Sequence, residues 1–124
     1  MKTDVIEIFQ SIRSVLQPYD AVGFETSINS ANAYELYTTK EILVNNKKQK
    51  VYFCGVKICN GNVEFYLKPI FLNPEIKNIL HPDLMKLLKE NSLFYVNMID
   101  EQLLNHISQA LDVGFTYYKQ QEWV

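Results

Sequence analysis

The chain has 124 residues, 48% hydrophobic, 13% aromatic and 21% charged, a length and mix that suit one folded domain with its own core and exclude a disordered chain. Twelve Lys and Arg against fourteen Asp and Glu leave a net charge of -2, without long like-charge blocks, so neither nucleic acid nor a membrane surface is an expected partner by bulk electrostatics. No apolar run approaches the ~20 residues of a membrane span, and Met1-Lys2-Thr3-Asp4 lacks the pattern of a signal peptide, so the expected location is the cytoplasm.

Val5, Ile8, Phe9, Ile12, Val15 and Leu16 recur at helical spacing and predict a helix over residues 4–17. Asp4 is placed to cap it, Glu7 stands three residues on, and Pro18 follows its end. From Pro18 to Asn32 the side chains of Ser27, Asn29, Ser30 and Asn32 compete with regular structure, so a long loop is expected. Tyr34 to Thr39 and Ile42 to Val44 carry β-formers with a break near Lys40 and Glu41, and Asn45-Asn46-Lys47-Lys48-Gln49 is expected to turn the chain.

Asn60-Gly61 is the strongest local signal, because it suits the positive φ angles of a two-residue hairpin turn. That turn sets a register in which Ile58 faces Val63, Val56 faces Phe65 and Cys54 faces Leu67 on the core side. Lys57 then faces Glu64 and Gly55 faces Tyr66 on the other. Strict alternation places Phe53 with the second group. Cys54 and Cys59 share this strand, where a rise of ~3.3 Å per residue holds them too far apart to bond, so both are expected as free thiols.

Pro69 ends the hairpin. Asn73-Pro74 and His81-Pro82-Asp83 then predict two short helical pieces, Leu93 to Met98 a further strand, and Asp100 the cap of a last helix with the stripe Leu103, Leu104, Ile107, Leu111, Phe115 and Tyr118. Gly114 beside that stripe allows a close approach. Helices gathered on one face of an antiparallel sheet make a two-layer α+β sandwich, a single domain over residues 1–124.

The stretch Tyr52-Phe53-Cys54-Gly55-Val56-Lys57-Ile58, continued by Val63-Glu64-Phe65-Tyr66-Leu67-Lys68-Pro69-Ile70 and Asn73-Pro74-Glu75, resembles the central block of the YdhG-like bacterial domains of unknown function. Asp100-Glu101-Gln102-Leu103-Leu104 and Gly114-Phe115-Thr116-Tyr117-Tyr118-Lys119 extend the resemblance over roughly the last three-fifths of the chain. The resemblance implies a frataxin-like fold and, as one alternative, an iron-chaperone role. It brings no catalytic residue with it.

For that alternative the hard-ion donors would be Asp4 and Glu7 on the first helix, with Glu35 and Glu41 from the strand region. No other cofactor is expected. His81 and His106 stand in no metal-spaced motif, and no nucleophile elbow, phosphate loop or dinucleotide fingerprint is present, so no catalytic residue is assigned and an enzyme of unknown reaction is a further alternative. Lys40, Lys47, Lys48 and Lys50 with nearby tyrosines are of the types that grip a nucleic acid, but the stronger reading is a Lys-rich tip that keeps a sheet edge soluble and unpaired. The preferred expectation is a non-catalytic binding or regulatory module. Its sheet would present Phe53, Tyr66 and Lys68 to a small molecule, a protein partner or a second copy in a homodimer.

Overall fold

The computed structural model describes residues 1–124. Helix α1 spans Val5–Leu16 and buries Ile8, Phe9, Ile12 and Leu16, while the Asp4 carboxylate accepts the Glu7 N–H at 3.1 Å as its cap. The predicted loop is then overturned. A short 3-10 turn at Gln17–Ala21 leads into strand β1, Phe24–Asn29. Only Phe24 of β1 is buried, so this edge strand is held by its backbone ladder and shows little of the hydrophobic alternation by which strands are recognised.

Strand β2, Ala33–Thr38, follows, and then β3 (Ile42–Val44) and β4 (Lys47–Gln49) form a separate hairpin. Its turn is Asn45-Asn46, with φ of 52° and 66°. Asparagine tolerates the left-handed region, so the pair does the work of Asn-Gly, and Lys47–Gln49 is strand rather than part of the turn. Strands β5 (Tyr52–Cys59) and β6 (Asn62–Leu67) close around Asn60-Gly61, with φ of 52° and 78°. Their register is the predicted one, from Ile58 opposite Val63 to Cys54 opposite Leu67.

Two short helices, α2 (Pro69–Leu72) and α3 (Pro82–Met85), flank a 3-10 turn at Pro74–Asn78. Strand β7, Leu88–Glu90, is not among the predicted elements, and β8 is Leu93–Tyr95, shorter than the predicted Leu93 to Met98. Helix α4, Glu101–Gln120, is capped by Asp100, which accepts the Leu103 N–H at 2.8 Å. The six long-sheet strands are antiparallel in the order β1-β2-β5-β6-β8-β7. Helices α1 and α4 pack against this sheet and touch each other.

Three β-bulges interrupt the ladders, at Ser27 in β1, Phe53 in β5 and Lys89 in β7. A bulge sets two residues against one and locally breaks the in-out alternation. At Phe53 this corrects the sequence expectation, because the ring turns to the same side as Cys54 and is fully buried. There it stacks on Phe24 at 4.1 Å and lies 5.2 Å from the Tyr118 ring and 5.6 Å from Tyr19. Tyr52 takes the outward place, lying over Gly55, where a Cβ would collide with the tyrosine hydroxyl.

Candidate functional site

Two regions carry unusual side-chain arrangements. The first is the sheet side away from the core. Tyr37 of β2, Tyr52 of β5 and Tyr66 of β6 form a row with ring centroids 5.1 and 6.5 Å apart, and Tyr95 of β8 stands opposite Glu64 beyond them. All four are half-buried. Lys57 lies 5.4 Å from the Tyr66 ring centroid and 3.7 Å from Glu64, whose carboxylate accepts the Tyr66 hydroxyl at 2.6 Å. Lys50 pairs with Glu25 at 2.6 Å.

Burial holds the Tyr66 hydroxyl well above its ordinary pKa, and the Glu64 contact adds to it. Burial does the same for Tyr52, with the Glu35 carboxylate contributing. Both therefore remain protonated hydroxyls at neutral pH. Of the predicted surface trio, only Tyr66 belongs to this face. Phe53 is core, and Lys68 leads into α2 with its ammonium 4.4 Å from the Phe71 ring centroid.

The second region is a cleft of about 320 Å³ between α3, β8 and the start of α4. Leu87, Tyr95, Met98, Ile99 and Leu103 supply apolar lining, while Asp83, Asp100 and His106 bring polar groups. Ile99 is fixed by backbone bonds of 2.8 and 2.9 Å to Lys2, so the N-terminal segment braces this wall. Asp100 is engaged as the α4 cap, and His106 follows Leu103 by one helical turn onto the same lining.

Helix α3 packs on α4 and brings a second histidine to His106. His81 precedes Pro82 in an extended conformation and caps α3 by accepting the Asp83 N–H on Nδ1 at 3.0 Å. Its ring stacks on His106 with centroids 3.7 Å apart and planes 13° from parallel. The potential ligand atoms of His81, Asp83 and His106 all lie within 4.8 Å of one another. His106 Nδ1 is buried and has no hydrogen-bond partner. Spacing motifs could not reveal this trio, since its members come from two elements far apart in sequence. The available signal was the position of His106 one turn after Leu103, together with a histidine cap on the helix it meets.

The acidic set Asp4, Glu7, Glu35 and Glu41 is not gathered into any such cluster. Asp4 is spent on its cap, and Glu35 lies on the outer sheet face beside Gly55. Of the basic residues near the β3–β4 hairpin, Lys50 is paired with Glu25 beside Tyr37, while Tyr34 is buried in the core. Cys54 and Cys59 are free thiols, and burial pushes Cys54 well above the ordinary thiol range. A buried neutral thiol of that kind is a poor nucleophile.

The chain matches no family model, no curated protein and no solved structure. Nor is any helix long and apolar enough to cross a membrane.

Proposed function

We propose that the chain is a non-catalytic binding module, acting in the cytoplasm, that takes a small and largely apolar ligand in the cleft between α3, β8 and α4. The observation that carries this reading is the make-up of the cleft, an apolar lining with polar groups converging on it. Its volume of about 320 Å³ falls at the lower end of the ~300–1,000 Å³ usual for small-molecule sites. The order of helix, antiparallel strands and helix supports a two-layer sandwich of the YdhG-like, frataxin-like kind. Dispersal of the acidic side chains favours this reading over the iron-chaperone alternative, which needs clustered oxygen donors.

Titration of a set of small aromatic fragments, followed by amide chemical shifts, tests the proposal. Shifts are expected to concentrate at Tyr95, Ile99, Leu103 and His106, and Leu103→Trp, which fills the cleft, should abolish them. Shifts centred on Tyr37 and Tyr66, or none at any fragment concentration, would remove the cleft reading.

A second reading is favoured by the tyrosine row on the sheet side away from the core. Lys50, Lys57 and Lys89 share that face with Glu25, Glu35 and Glu64, so a second copy related by a two-fold axis can offer opposite charges to each. The expected partner is this chain itself, in a homodimer. Sedimentation equilibrium should show a monomer–dimer equilibrium that Tyr37→Glu with Tyr66→Glu shifts to monomer. A wild type that stays monomeric at every concentration would end the dimer reading.

A further inference from the structure

We infer that His81, Asp83 and His106 hold a divalent transition-metal ion of the zinc class at the edge of the cleft. Two imidazoles and one carboxylate are donors suited to zinc, nickel or copper rather than to hard ions such as calcium, which want oxygen alone. The three ligand atoms already lie within 4.8 Å of one another. Bonds of ~2.0–2.2 Å in a tetrahedral site bring ligand atoms to roughly 3.3–3.6 Å, a contraction that side-chain rotation can supply. His81 and Asp83 are both exposed, and the contacts of the Asp83 carboxylate to His81 and Lys86 are long, at 3.8 and 3.7 Å.

The independent observation is His106. Its Nδ1 is buried without a partner, although a buried polar atom is normally hydrogen-bonded. Adjacent to that ring stands a second imidazole, stacked on it; imidazole lone pairs lie in the ring planes, so the exposed His81 ring must rotate out of the stack for both rings to converge on one ion. His81 Nδ1 now accepts the Asp83 N–H, so binding through that atom exchanges the cap bond for the metal. Lys86 is the neighbouring like charge that must swing away from Asp83, and it is free to do so from the solvent side. Three protein ligands leave a fourth position open. That position is available to a donor atom of a molecule in the cleft, and only this last feature rests on the cleft reading.

Calorimetric titration of the chelator-treated full chain with zinc chloride alone tests the site, in a Cys59→Ser background that removes the half-exposed thiol. The expected result is one ion per chain and a raised thermal midpoint in the presence of zinc. His81→Asn retains a good capping side chain and should keep the fold. Both it and His106→Gln remove a direct ligand, so each should weaken zinc binding by at least the roughly 10–100-fold that loss of an outer-shell partner costs and remove the thermal shift. Absence of stoichiometric binding, or binding unchanged in the His81→Asn, His106→Gln double variant, would overturn the inference. Leu103→Trp separates the two readings. It should lose the fragments and keep the zinc, whereas fragment binding without zinc binding would leave the cleft intact and eliminate the metal.

Discussion

Phe53→Ala is expected to destabilise the fold by about 3 to 5 kcal/mol, although alternation along β5 would place this residue outside. The ring is fully buried, stacked on Phe24 at 4.1 Å with planes 7° apart, and faced by Tyr118 and Tyr19. Three rigid aromatic neighbours cannot collapse far into the space that truncation leaves, so the cavity cost adds to the lost burial. Lys57→Ala is the contrasting variant. Its ammonium is 3.7 Å from Glu64 and the side chain is 41% exposed, so solvent screening limits the loss to under about 1 kcal/mol. Denaturant midpoints compared at similar m-values should therefore fall much further for Phe53→Ala. Equal midpoints would mean that the bulge does not turn Phe53 inward.

Gly114→Ala should also destabilise, against the ordinary preference of helices for alanine. On an exposed helix surface this change is favourable by about 1 kcal/mol. At Gly114, however, an added Cβ would lie 2.7 Å from Pro69 Cγ, 3.2 Å from Pro69 Cβ and 3.4 Å from Phe53 Cε1. The proline ring cannot rotate aside, because it is fused to the backbone at the start of α2. Helix α4 must move away from α2 and from the aromatic cluster together, an overpacking strain that typically costs about 1 to 3 kcal/mol. The sign is the test. A lower thermal midpoint agrees with the close approach, and a higher one would show that α4 and α2 do not meet at this position.

The sequence was legible wherever a local rule acted alone. Asn60-Gly61 determined the register of β5 and β6 because a two-residue turn leaves no freedom. Asp4 and Asp100 were recognisable as caps because the orphan N–H groups of a helix start select such side chains. Reading failed where pairing came from another part of the chain. Strand β1 is stabilised by its ladder with β2, which its own polar composition does not advertise. Leu88 to Glu90 pair with β8 despite following a helical turn.

The outward face was anticipated at Gly55 and Tyr66, and Tyr52 replaced Phe53 there because one extra residue changed the phase of the strand. The histidine pair depends on the packing of α3 against α4, a relation between two elements that neither one's sequence contains.

The placement of the other two bulges bears on how copies of this sheet can associate. Strands β1 and β7 are the outermost, and each carries an extra residue, Ser27 in one and Lys89 in the other. A bulge bends and twists its strand, so the outer rim offers no straight row of N–H and C=O groups for a further strand to copy. At β7 the available length is only Leu88–Glu90, and an unpaired lysine stands in the middle of it. Sideways extension from chain to chain, the geometry of fibrous growth, is disfavoured at both ends. The homodimer proposed above would use the broad tyrosine surface instead, where two copies that cover each other leave nothing for a third.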